Sequence, residues 1–224
     1  MERTITVTGK GKLSVKPDTT RLLLSVEGTE PEYEQALARS ASQTKSIRTG
    51  LRELGFAAED LKTVSFQVDT KYEGYQDETG KWKQQFLGYQ FSHSMKLEFP
   101  IDSERLGRIL AALVQSQAAP EFHIQYTVKE AEEVKKELLK RAVADSREKA
   151  EVMAEAAGVA LGELLSMDYS WKEKDLAVNC ADRMAKPRLL AEGAPAAAYT
   201  LDIEPEDIQV TDSVTARWEI EKIG

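Results

Sequence analysis

A single cysteine, Cys180, stands in 224 residues, and histidine appears only at His93 and His123. One thiol excludes an intrachain disulfide framework and a thiolate-rich metal cluster. The two imidazoles lie in different segments without ligand spacing, so a zinc site lacks its donors. No acidic loop has the spacing of a calcium-binding EF-hand, although a carboxylate-only cation site requires no such motif. No apolar run approaches the roughly 18 residues of a membrane-spanning helix. Strand-like alternation begins almost at Met1, without a basic segment leading into an apolar one. As written, the chain therefore reads as soluble and cytoplasmic; a native signal peptide removed before Met1 would make it periplasmic or extracellular.

Cations are outnumbered: 30 Lys and Arg face 38 Asp and Glu, a formal charge of −8, with both signs interspersed along the helices. Nucleic acid is thereby disfavoured as a partner, because displacing counterions from phosphate takes clustered cations. A Gly-x-Ser-x-Gly elbow is also missing, which leaves nucleophilic catalysis without a candidate. Gly9-Lys10-Gly11 resembles the start of a phosphate-binding loop, yet Ser14 stands where a third glycine belongs and a strand follows. A tight turn is the simpler reading.

What is present is periodicity. Ile5 and Val7 alternate with threonines, and the glycine pair is expected to turn the chain into a second short strand at Leu13 and Val15. The apolar run from Arg21 to Glu27 predicts a strand covered on both faces. Thr29 suits an N-cap, after which Tyr33, Leu37, Ser40, Thr44, Ile47, Leu51 and Leu54 recur at helical spacing up to Gly55. Val64, Phe66 and Val68 share one strand face, Asp77 to Gly80 form a hairpin tip, and the return arm runs from Trp82 to Phe99. Asp102 or Ser103 caps a second helix with a stripe of Leu106, Ile109, Leu110, Leu113 and Val114.

Phe122 to Val128 alternates as a strand, and Ala131 to Ala157 is a long helix with an inward line of mostly small residues. Its outer face sets Glu132 with Lys136, Glu137 with Arg141, and Asp145 with Lys149, and Gly158 closes it. Leu164 to Trp171 forms a further strand, Glu173 to Pro205 is irregular, and Ile208 to Ile220 is a last strand of clean alternation. An irregular stretch of that length is normally functional, interfacial or disordered.

Few residues invite a chemical role. His93 falls between Phe91 and Met95 on an apolar face, where a neutral imidazole needs a hydrogen-bond partner; a satisfied core or interface histidine outweighs a base or ligand. His123 falls on a polar face and is expected to be exposed. Cys180 is read as an incidental free thiol rather than a reactive one, since neighbours such as Lys174 and Arg183 are little to depress its pKa. The aromatics Tyr72, Tyr75, Trp82 and Phe86, with Tyr89, admit two readings: an oligomer contact on a protruding hairpin, or packing on the helices.

Taken in order, several landmarks form a set: Thr6 to Gly11, Val15 to Asp18, Leu54-Gly55 ahead of Asp60 to Thr63, and Gly88-Tyr89-Gln90. Ala142 to Ala150, Ala156 to Gly162 and Val214 to Ile220 complete it. This set resembles the SIMPL-domain family, whose bacterial members include periplasmic immunogenic proteins. The resemblance implies one α+β domain over 1–224, ring-like or channel-like homo-oligomers and a link to oxidative or envelope stress, with no agreed active site. Two departures stand out: the signal peptide usual in the family is missing, and Gln115-Ser116-Gln117 replaces a glycine usual after the second helix.

The expected fold is thus α+β and two-layered, a largely antiparallel sheet packed by three amphipathic helices. The expected function is that of a non-enzymatic, self-associating protein without cofactor or metal, acting through assembly or surface binding, with a stress-related role. The alternative is a small-molecule or peptide-binding module whose lid is the segment 173–205, its ligand unknown.

Overall fold

The computed structural model describes residues 3–169, 176–179 and 204–222. The elements in order are β1 (Thr4–Val15), β2 (Thr19–Glu30), α1 (Tyr33–Glu53), β3 (Leu61–Gln76), β4 (Trp82–Pro100), α2 (Ser103–Gln115), β5 (Glu121–Thr127), α3 (Ala131–Ala156), β6 (Val159–Asp168), β7 (Ala177–Asn179) and β8 (Ile208–Lys222). Two antiparallel sheets and three helices make the expected α+β architecture. The chain packs into two compact units, one of residues 1–18, 127–178 and 205–224, the other of 19–126 and 179–204.

In the first unit the sheet order is β1-β8-β6, and α3 packs against it. Here the structure corrects the expected turn at Gly9-Lys10-Gly11. β1 runs unbroken through it, pairing residue for residue with β8 from Thr4↔Glu219 to Val15↔Ile208. The glycines answer to the helix: a Cβ on Gly9 would lie 2.0 Å from the Ala142 carbonyl oxygen, and one on Gly11 would lie 2.0 Å from that of Leu138. Backbone meets backbone there because the inward line of α3, Leu138, Ala142, Ser146, Ala150 and Ala154, is small apart from Leu138. Met153, expected on that line, is exposed, and Ala154 takes its place.

The same helix also satisfies the outer edge of β1. Asp145 accepts the Lys10 backbone N–H at 2.6 Å, Lys149 donates to the Thr8 carbonyl at 3.2 Å, and Arg141 donates to that of Lys12 at 3.3 Å. A bare sheet edge is thus capped by side chains. Along α3 the pairs Glu137–Arg141 and Asp145–Lys149 form as expected, whereas Glu132 meets Lys135 and Lys136 meets Glu133. Gly158, at φ 66, reverses the chain so sharply that β6 starts at Val159, earlier than alternation alone suggested.

The second unit has the strand order β3-β4-β2-β5 with α1 and α2 over one face. β2 is interior, as its apolar density predicts, and buries Thr20, Leu22, Leu24 and Val26 on that face. They meet Phe91, Met95, Leu97 and Phe99 of β4, Ile47 and Leu51 of α1, and Leu106, Ile109 and Leu113 of α2 in one core. Thr29 ends up inside β2, so the cap of α1 falls to Glu32, which makes no side-chain capping bond. Asp102 does cap α2, accepting the Arg105 N–H at 2.9 Å. Val114 leaves the α2 stripe for solvent. Past α2 the left-handed backbone falls on Ala119, φ 41.

Within the stretch expected to be irregular, Ala177–Asn179 forms a short strand, and buried Leu176 accepts the Thr127 hydroxyl at 2.6 Å. Cys180 and most of the segment 173–205 lie outside the described residues. Gly9→Ala should cost at least about 2 kcal/mol in urea unfolding, since overpacking against backbone cannot relax. Gly74→Ala, whose Cβ meets nothing nearer than the Trp82 ring at 3.9 Å, should stay within about 0.5 kcal/mol. Equal losses would refute the close-approach account.

Candidate functional site

Two features of the second unit combine exposure with a defined geometry: the hairpin arm of β3 and β4, and a cleft beside it. β4 pairs with β2 only as far as Glu30↔Tyr89. Immediately beyond, Gly88 adopts φ 130, and a Cβ there would sit 2.2 Å from the Glu30 carbonyl oxygen. The register to β3 shifts at the same point, from Lys71↔Gly88 to Tyr72↔Phe86. Past it, among the described residues, the two strands pair only with each other.

The tip of this arm is tightly made. One oxygen of Asp77 accepts the Thr79 N–H at 2.9 Å, the Thr79 hydroxyl at 2.6 Å and the Lys81 N–H at 3.1 Å, and the other meets Lys83 at 2.9 Å. The Thr79 hydroxyl, then Lys83, hold the Asp77 carboxyl down to about 2. Gly80 supplies the left-handed residue at φ 77, as the expected tip requires.

Register places Tyr72, Phe86, Gln76 and Trp82 on one face of the arm and Tyr75 with Lys83 on the other. Thus three of the four aromatics singled out from sequence share a face, two of them in contact, and Tyr75 does not. Tyr72 and Phe86 meet edge to face at 5.5 Å, Phe86 and Tyr89 at 5.5 Å, and Tyr89 meets Tyr33 of α1 at 5.6 Å. This ladder stiffens the base of the arm. Towards the tip cover disappears: Trp82 is 75% exposed and Tyr72 54%.

The cleft, about 640 Å³, opens between the flank of α1 and the sheet-edge strand β3. His93 lies in it, half-buried as its place between Phe91 and Met95 suggested, and fully hydrogen-bonded. Thr44 gives its hydroxyl hydrogen to the Ser40 carbonyl at 2.9 Å, so towards the ring it can only accept. That assigns the imidazole proton to Nδ1, 3.1 Å from the Thr44 hydroxyl, and leaves Nε2 to accept from Thr63 at 2.9 Å. Phe66 abuts the ring edge to face at 5.2 Å. Burial, and then the Arg48 charge, lower the His93 pKa below its ordinary 6.5.

Thr63 reaches this ring because the β3 register shifts between Thr63↔Met95 and Ser65↔Ser94. Val64 is the extra residue there, which removes it from the face it was expected to share with Phe66 and Val68. Lys45, Arg48 and Arg52 line the same cleft from α1. Sequence reasoning passed over them, although the absence of any carboxylate between Gln35 and Arg52 was there to be read. His123 is exposed, as expected. Among the described residues no three of the His, Cys, Asp and Glu side chains gather as a metal cluster would require. Among the same residues no helix is long and apolar enough to cross a membrane.

Residues 5–218 match the family described as SIMPL, protein of unknown function (DUF541). The chain belongs to the SIMPL family. Similar proteins include the 26 kDa periplasmic immunogenic proteins of Brucella melitensis biotype 1 and Brucella abortus strain S19. Each is 26% identical over 163 residues, covering 73% of this chain and 65% of the relative's own length. An uncharacterized conserved protein from Listeria innocua, with a crystal structure, aligns at 12% identity over 95% of this SIMPL chain and 92% of its own, with a TM-score of 0.23.

For the SIMPL chain the imidazole yields a pH test. An unfolded His93 takes a proton more readily than the folded one, so its contribution to stability is intact above about pH 6.5 and is lost as pH falls from there through the folded value. Unfolding free energies measured from about pH 7 to about pH 5 should fall faster for the wild type than for His93→Gln. Parallel curves would contradict a lowered pKa for folded His93.

Proposed function

We propose that this SIMPL protein is non-enzymatic and works by self-association, with a second copy of the chain seated on the β3–β4 arm. The observation that carries this reading is the aromatic face of the arm. Trp82, Tyr72 and Phe86 stand exposed together on a ribbon that neither α1 nor α2 covers, whereas isolated exposed apolar residues need no explanation. Aromatic side chains are the ones enriched in the cores of protein interfaces.

A second copy fits better than another partner on charge. From Lys71 to Gly88 three lysines, Lys71, Lys81 and Lys83, balance Glu73, Asp77 and Glu78, so the arm is neutral in a chain of net charge −8. Two acidic copies can meet there without the repulsion they meet elsewhere. β6, an edge strand of the other sheet among the described residues, exposes Leu164, Leu165 and Met167. Two different apolar edges on one subunit suit a head-to-tail contact, which closes into a ring when the rotation allows. The periplasm is the proposed location, since the similar Brucella proteins are periplasmic, and a role in envelope or oxidative stress is proposed with it, as the family resemblance implies.

Light scattering on the purified chain at micromolar concentration should give the mass of a multi-subunit particle. The double variant Trp82→Glu, Phe86→Glu should give 25.0 kDa with an unchanged circular dichroism spectrum. Val114→Glu, which alters an exposed apolar residue elsewhere, should leave the assembly intact. A wild-type monomer, or a particle indifferent to the arm substitutions, would sink the proposal.

A further inference from the structure

The cations of α1 are distributed unevenly. From Gln35 to Arg52 the helix contains Arg39, Lys45, Arg48 and Arg52 and no acidic residue. Arg39 is neutralised by Glu30. The other three line the cleft, and among the described residues none of them reaches a carboxylate. Three unpaired positive charges on one concave surface are out of keeping with a chain of charge −8.

Helix-dipole compensation accounts for Arg52, in the last turn of α1, but that effect falls off within a turn and does not reach Lys45 or Arg48. A merely solvated face would not converge on polar groups either. These cations share the cleft with the Ser40 hydroxyl, with His93, and with Phe66 on the β3 side. Phe66 is 43% exposed and presents an aromatic surface next to the charges. One wall is therefore a set of donors for an oxyanion, and the other a platform for a flat apolar body.

We propose that this cleft binds a soluble organic phosphate, with its phosphate held by Arg48, Arg52 and Lys45 and its organic body packed on Phe66. Arginine suits the anion because its planar fork donates two hydrogen bonds to a phosphate edge. The site shares no residue with the aromatic face of the arm, so it stands or falls separately from self-association.

Phenyl phosphate is the probe, titrated into the full-length chain and followed by the ring signals of its two histidines. The His93 signal should shift saturably while that of His123 stays still. Inorganic phosphate should bind about tenfold more weakly, because it lacks the body that Phe66 would cover. Arg48→Gln should weaken phenyl phosphate by about tenfold or more, whereas Arg108→Gln, an exposed arginine on α2, should leave it within about twofold. The Trp82→Glu, Phe86→Glu variant should bind as the wild type does. Absence of a saturable His93 shift would overturn the proposal, as would equal weakening by both arginine variants. So would a His93 response to phosphatidylglycerol vesicles but not to phenyl phosphate.

Discussion

The second unit depends on a single strand register, that of β4 against β2 on one side and β3 on the other. Side chains alternate along a strand, so this pairing turns Phe91, Met95, Leu97 and Phe99 towards the helices, each at most 4% exposed. Burying such a side chain stabilises by roughly 1.5–3 kcal/mol. A slip of one residue would expose all four and bury Ser92, Ser94, Lys96 and Glu98 in their place. The same register brings His93 to the polar flank of α1 and, beyond Gly88, leaves Phe86 and Trp82 on a ribbon without helical cover. Core and cleft share one alternation, and the shift at Gly88 starts the arm on the other.

Sheet edges receive opposite treatments. Along β1 the helix α3 comes close enough to occupy the outward backbone groups with Asp145, Lys149 and Arg141, which is possible only because Gly9 and Gly11 have no side chain. Among the described residues β3 and β6 have no such cover in their sheets and carry exposed apolar residues instead. An edge satisfied within the chain has nothing to offer a partner, and one left open does. Under the proposed self-association, that contrast points to the arm and to β6.

Much of this was legible in the sequence, for local reasons. Period-two alternation located β4 and β8, the Asp77 to Gly80 tip follows from turn chemistry, and Gly55 and Gly158 end their helices with the left-handed residue such ends favour. What escaped depended on contacts distant along the chain. Gly9-Lys10-Gly11 reads equally well as a turn or as a strand under a helix, and the choice is made by Ala142 and Leu138, more than a hundred residues on. The register shift at Val64 has no signature in alternation, yet it brings Thr63 to His93. A whole-chain charge balance concealed the acid-free stretch of α1, and the unexpected cleft came with it.

The claim that joins these observations is that the arm is a buried contact once copies meet. Amide hydrogen exchange measured at low and high protein concentration tests it residue by residue. Protection of the amides from Lys71 to Gly88 should rise with concentration, while the core stretch of β4 from Phe91 to Phe99 exchanges at the same rate throughout. An arm whose exchange is indifferent to concentration, in a sample shown to contain assembled particles, would contradict the account.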